Sequence, residues 1–220
     1  MLAIDLINDS FPPLKPSDTG LKALKWMENF KLEHIPLVEG VNYMGLITEA
    51  DVLKLNSLEQ PIANQSVPLI HPFVKSSQPV FEVVKVISND KLTVVPVVDE
   101  QNHYVGLITL GDILHHYRDS GVFEDATGVV VISMKPYEYS LSQIAHLVES
   151  EDAKILSSYV TPNMKDETID ITLKINQKDL SRILSSFSRY GYYVKEHYNQ
   201  EEFMDDMKSR YDSLIKFLDI

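Results

Sequence analysis

The segment HIPLVEGVNYMGLITEADVL, which begins at His34, comes round again as VVPVVDEQNHYVGLITLGDIL from Val94. Pro36, Gly45, Thr48 and Asp51 correspond to Pro96, Gly106, Thr109 and Asp112; the offset is 60 at the proline and 61 from the glycine onward, so the second copy carries one extra loop residue. A repeat of this kind constrains the fold more than any single element does. It means that one supersecondary unit is used twice, and that each copy buries its apolar face against the rest of the array.

Both copies read alike. An amphipathic helix at 19–30 or 80–89 leads to a short strand at 36–38 or 94–98, followed by a polar turn at 39–42 or 99–103. The turn predicts a hairpin. The next strand, 43–47 or 104–108, is continuously apolar, and the threonine that ends it is followed by aspartate and another apolar helical run. The order is helix, strand, strand, helix, with Thr48 and Thr109 at helix N-caps and Asp51 and Asp112 in the first turn.

The pattern apolar-Pro-apolar-Val-(Asp/Glu), turn, Gly-apolar-apolar-Thr-x-x-Asp-apolar resembles the cystathionine-β-synthase (CBS) repeat, and two in tandem resemble a Bateman module. The resemblance covers 1 to about 120, with repeat 1 placed at 1–60 and repeat 2 at 61–124. It implies a pseudo-twofold pair with two clefts that bind adenosine-containing ligands: AMP, ADP, ATP or S-adenosylmethionine. Asp51 and Asp112 would grip ribose hydroxyls, since a carboxylate can accept two hydrogen bonds. Thr48 and Thr109, beside helix N-terminal amides, would hold phosphate. Ile35-Pro36 and Val95-Pro96 would face the adenine. The same Thr-x-x-Asp also serves as a helix cap without any ligand. Glu49-Ala50 and Leu110-Gly111 stand where many nucleotide-binding members carry a cation before the aspartate. With no carboxylate beside its threonine, the Thr109/Asp112 site ranks ahead of Thr48/Glu49/Asp51 for an anionic ligand.

From Thr127 the pattern changes. Apolar strands at 129–134 and 155–160 flank a helix marked by Leu141, Ile144, Ala145, Leu147 and Val148. Ile169, Ile171, Leu173 and Ile175 then alternate with polar residues, and Leu180, Ile183, Leu184 and Phe187 mark a helix before a strand at 192–196. The order βαββαβ predicts a ferredoxin-like domain over 125–198. The whole chain is thus α/β (α+β). After a CBS pair, this domain resembles an ACT regulatory domain, and the layout is similar to the acetoin utilisation protein B type. Its first loop, Lys135-Pro136-Tyr137-Glu138-Tyr139-Ser140, lacks the glycine of amino-acid-binding members, which favours packing or dimerisation over ligand binding there. Residues 199–220 place Phe203, Met207, Tyr211, Leu214 and Leu218 on one face of an amphipathic helix.

Composition narrows the function. Net charge is −12, with 9 basic and 16 acidic residues in 1–124 and 11 basic and 16 acidic in 125–220, so both halves repel a phosphate backbone and no nucleic-acid partner is expected. There is no cysteine, hence no disulfide, thiolate metal site or cysteine nucleophile. Asp5 and Asp9 interrupt the N-terminal apolar stretch, and no apolar run approaches the length of a bilayer span, which predicts a soluble, cytoplasmic protein with no membrane partner. His115-His116 project about 100° apart on a helix, and His146 with Glu149 offers only two ligands, so no metal is expected. No nucleophile, base and orienting group converge, so no catalytic residue is assigned. The reading is a non-catalytic regulatory homodimer with no required cofactor that senses an adenine nucleotide. The alternative is a ligand-free scaffold acting through a protein partner.

Overall fold

The structure is a computed structural model that describes residues 1–119 and 127–198. The chain forms two compact units, Met1–Ser120 and Gly121–Ile220. The C-terminal stripe from Phe203 to Leu218 lies outside the described residues.

In the first unit, helix α1 (Gly20–Phe30) is capped by Thr19, whose hydroxyl accepts from the Lys22 amide, and it buries Gly20, Ala23 and Met27 at helical spacing. It stops at Lys31, which turns left-handed (φ 57°) and donates its amide to the Met27 carbonyl. Strands β1 (His34–Glu39) and β2 (Asn42–Thr48) form the hairpin, with Pro36 opposite Leu46. Helix α2 (Glu49–Val52) closes the repeat. It is a single turn rather than the longer apolar run the sequence predicts. The chain turns back after it so that Leu55 and Leu58 close over Gly20, and the Leu21 amide bonds the Leu58 carbonyl.

The second repeat runs through β3 (Val74–Lys75), α3 (Val80–Asp90), β4 (Val94–Val98), β5 (Tyr104–Thr109) and α4 (Leu110–Asp119). Correspondence is close. Helix α3 buries Val80, Val83 and Ile87 and ends at Lys91 (φ 52°); Pro96 lies opposite Leu107, and both hairpins carry a bulge one residue later. The two-residue strand β3 pairs in parallel with β4 through Val74 and Val97; its counterpart, Leu14, bridges in parallel to Leu37. The β3 and Leu14 pairings hold the same offset of 60.

A cut at residue 60 divides the sequence repeat but not the packing, because each repeat is strapped by the segment that precedes the other. The 3-10 turn Ala3–Leu6 lies on repeat 2, where the Ala3 and Ile4 amides donate to the Gln78 and Ser76 carbonyls at 2.8 and 3.1 Å. The 3-10 turn Ile62–Asn64 lies on repeat 1, where the Ile62 and Ala63 amides donate to the Asp18 and Pro16 carbonyls at 2.8 and 2.9 Å. Ala3 and Leu6 are accordingly buried with Val83, Val97 and Leu107, whereas Ile62 is buried with Leu14, Met27 and Ile35. Further along, the Asn8 amide bonds the Leu107 carbonyl, and Ile70 exchanges both backbone bonds with Leu46.

The motif glycines make room for these straps. A Cβ on Gly106 would collide with Ile7 Cγ2; one on Gly45 would meet the Ile70 carbonyl oxygen and Leu69 Cβ at 2.9 Å each. Only Gly45 also sits at positive φ, +140°.

The second unit is built of β6 (Gly128–Met134), α5 (Leu141–Glu149), β7 (Ile155–Asn163), β8 (Thr168–Ile175), α6 (Ser181–Arg189) and β9 (Tyr193–Tyr198). The sheet order is β7-β8-β6-β9 and every neighbouring pair is antiparallel, which is the ferredoxin-like arrangement. Strand alternation buries Val130, Ile132, Ile171, Leu173 and Ile175 against Ile144, Val148, Ile183 and Phe187 of the two helices. Strand β7 continues past the expected end through Pro162, which an edge strand tolerates. On the opposite face the Lys195 ammonium reaches across β6 to Asp170 at 2.6 Å; that hydrogen bond, with a second from Ser133, holds the Asp170 carboxyl below its ordinary pKa.

Candidate functional site: the paired Thr–Asp motifs

Each hairpin delivers its threonine to the start of the following helix, and there the two repeats match. The Thr48 hydroxyl accepts from the Asp51 amide at 3.1 Å and donates to Asp51 Oδ2 at 2.6 Å; the Thr109 hydroxyl does the same with Asp112 at 3.1 and 2.6 Å. The amide after each threonine is taken by the same position of the preceding loop, Glu49 by the Glu33 carbonyl and Leu110 by the Thr93 carbonyl. The threonine hydroxyls and these first-turn amides are therefore committed to the cap. For either threonine to hold a phosphate, its hydroxyl must first release its own aspartate.

The surroundings of the two carboxylates differ. Asp51 Oδ1 faces the Lys54 ammonium at 3.4 Å, an exposed cation at the surface. Asp112 has two further protein donors: the Thr109 amide donates to Oδ2 at 2.8 Å, and the Asn8 side-chain amide donates to Oδ1 at 2.7 Å. Asn8 is itself fixed, since its Oδ1 accepts from the Ser10 amide at 3.0 Å. These neighbours run against ranking the Thr109/Asp112 site first. Neither Asn8 nor Lys54 was signalled by the motif. Lys54 lies three residues after the aspartate, on the same helical face, and that spacing could have found it; Asn8, 104 residues away, could not be found that way.

Ile35-Pro36 and Val95-Pro96 are the residues expected to give adenine apolar contact and a backbone carbonyl. All four are buried, Ile35 at 3% and Val95 at 0% exposure, because both strands are the inner members of their hairpins. The Pro36 carbonyl is also occupied, by the Leu14 amide at 2.9 Å. These dipeptides build the floor beneath the site.

The two repeats also meet at a polar contact absent from the sequence reading. The Thr93 hydroxyl accepts from the Glu33 amide at 3.1 Å and lies 3.1 Å from His34 Nδ1, to which the Thr93 amide also donates at 3.4 Å. With both groups directed at it, Nδ1 acts as an acceptor and the buried ring is neutral. Burial accordingly lowers its pKa from the ordinary 6.5.

Two pockets open elsewhere. One of about 340 Å³ in the first unit is lined by Tyr43, His71, Phe73, Val98 and Asn102, and burial raises the Tyr43 phenol far above its ordinary pKa. Another, of about 370 Å³ in the second unit, lies between the Lys135–Ser140 loop and the turn into β9, with Glu138, Gln143 and Tyr190 in its wall. Neither contains a Thr–Asp pair. Among the described residues, no group of three or more metal-ligating side chains comes together, and no helix is long and apolar enough to cross a membrane.

Residues 66–119 match the family model of the CBS domain. The chain is 23% identical over 154 residues to the inosine-5'-monophosphate dehydrogenase of Methanocaldococcus jannaschii, a match that covers 69% of this chain but only 31% of that enzyme. It thus spans under a third of the length of the curated relative it matches. Among solved structures, a CBS domain pair/ACT domain protein from Thermotoga maritima is 21% identical with a TM-score of 0.48, over 55% of this chain and 98% of its own. CBSX2, solved in complex with AMP, is 17% identical with a TM-score of 0.46, over 54% of this chain and 96% of its own. The match to the CBS domain falls on the second repeat, and the first repeat shares its element order and hairpin register.

Proposed function

We propose that this CBS-domain protein is a non-catalytic regulator whose repeats take an adenosine-containing ligand, AMP, ADP, ATP or S-adenosylmethionine, and pass the event on as a change of conformation or assembly. The observation that carries this reading is the duplicated Thr–Asp pair, in which each threonine holds one oxygen of its aspartate at 2.6 Å, while the other meets Lys54 in the first repeat and Asn8 in the second. A carboxylate oriented by its own cap suits a ribose diol, because it can accept from both hydroxyls. Thr48 and Thr109 are positioned to turn toward a phosphate once the diol engages the carboxylate. The reciprocal straps supply a route for the signal, since a ligand that favours one disposition of the repeats shifts the equilibrium by its differential affinity.

The segments in this reading are repeat 1 at 1–60, repeat 2 at 61–124, an ACT-type module of the acetoin utilisation protein B layout at 125–198, and an amphipathic helix at 199–220, assembled as a homodimer. What supports the ACT assignment is the strand order together with its place after a CBS pair. The loop at 135–140 lacks glycine, which supports a packing role for that module rather than amino-acid binding. A second reading, a ligand-free dimerisation scaffold working through a partner protein, is favoured by the caps: hydroxyls and amides that already have partners need no ligand.

Melting curves separate the two. The four ligands at millimolar concentration should include at least one that raises the melting temperature, and Asp51→Ala should remove most of the rise. A flat response to all four, with a dimer unchanged in light scattering, establishes the scaffold instead.

A further inference from the structure

We propose that Asn8 is an internal latch that closes the second site, so that the two Thr–Asp pairs bind ligand unequally and in sequence. This rests on the nucleotide reading above. The Asn8 carboxamide donates to Asp112 Oδ1 at 2.7 Å, the position a ribose hydroxyl would occupy, while Thr109 holds Oδ2 through both its amide and its hydroxyl. Three protein donors thereby fill all but one of the roughly four acceptor sites of the Asp112 carboxylate, so a diol that donates both hydroxyls must displace one of them. The Asn8 backbone is anchored too, to the Leu107 carbonyl at 2.9 Å.

Repeat 1 has no such device. The strap residue bonded to Leu46, the counterpart of Leu107, is Ile70, whose side chain has no donor to offer. Among the described residues, Asp51 Oδ1 meets one donor, the 75% exposed Lys54 side chain at 3.4 Å. A diol can join Asp51 without expelling a packed group, and Lys54 stands ready for the ligand's negative charge. The duplicated motif is therefore an open site and a latched one. Occupying the second site requires withdrawing Asn8 from Asp112, which loosens the strap that crosses Gly106 at Ile7. Ligand at Asp112 is coupled in this way to the N-terminal segment; ligand at Asp51 is not.

Isothermal titration of the full chain with AMP and with ATP tests the latch. The wild type should bind one nucleotide per chain tightly, and Asn8→Ala should strengthen the second site by at least about tenfold, the loss of one hydrogen bond to a charged acceptor. Asp51→Ala should abolish the tight site, and Asp51→Ala combined with Asn8→Ala should restore one nucleotide per chain at Asp112. Two equal sites in the wild type, or an Asn8→Ala titration identical to wild type, overturns the proposal. If no form binds nucleotide, the reading beneath it falls, and hydrogen exchange judges the latch alone. Asn8→Ala and Asp112→Ala should then both speed exchange of the backbone amide at position 8, which bonds the Leu107 carbonyl. Unchanged protection in both overturns it.

Discussion

Repeat 1 and repeat 2 share a helix rhythm, a hairpin register and a capped aspartate, yet they differ wherever the strap touches them. The first ends in a four-residue helix and the second in a ten-residue one. The first glycine lies at positive φ under a backbone carbonyl, whereas the second lies under an isoleucine side chain. The first presents a histidine at the contact between repeats, and the second has Val94 at the matching position. Duplication thus preserves the scaffold, while Asn8, which bonds Asp112 in one copy only, comes from a segment outside the repeated motif.

The largest expected effect tests that contrast directly. Gly45→Ala should cost about 3 kcal/mol in urea unfolding, because an added Cβ meets backbone and the φ disfavours any side chain. Gly106→Ala should cost about half as much, since Ile7 can shift; equal losses would show that strap and backbone constrain the two repeats alike. Next in size, Asn8→Ala should lower stability by about 1.5 kcal/mol through the lost bond to Asp112, a cost that Ile70→Val on the other strap should not reproduce.

A smaller effect separates the repeats by pH. His34 has a folded pKa below its ordinary 6.5, so the unfolded chain binds more protons in that window. Stability is full above about 6.5 and declines as pH falls toward the folded value, with a slope no steeper than about 1.4 kcal/mol per pH unit for one proton. His34→Gln should flatten this part of the profile in unfolding experiments between pH 7.5 and 5.5. A slope that survives the substitution would place the pH response outside the contact between repeats. Smallest of all, Lys54→Ala should change stability by less than about 0.5 kcal/mol, because its ion pair with Asp51 is long and exposed. Its effect should appear instead as weaker nucleotide binding at Asp51.

The regular elements were legible because period and punctuation agree in them. The strand Val94–Val98 is one uninterrupted apolar run, β8 alternates along its length, and α1 follows a capping threonine. The straps were not legible. Ala3–Leu6 and Ile62–Asn64 are single turns, too short to show a period, and what fixes them is hydrogen bonding to carbonyls of the repeat that each does not precede. The site was half legible for the same reason. Spacing along the chain identified Thr48, Asp51, Thr109 and Asp112, which act within one helical turn. It could not reveal that Asn8 would close on Asp112 across 104 residues, or how completely Ile35 and Val95 would be buried.

The crossed straps also dictate the order in which this unit can mature on the ribosome. The core containing Met27 and Ile35 stays incomplete until Ile62 has been synthesised, and Ala3, made well before Leu107, has no finished place to pack until Leu107 emerges. Neither copy can become an independent folding intermediate of full stability. Expressing one alone should give a chain with an uncovered apolar surface, whereas supplying the two halves together allows each to complete the other.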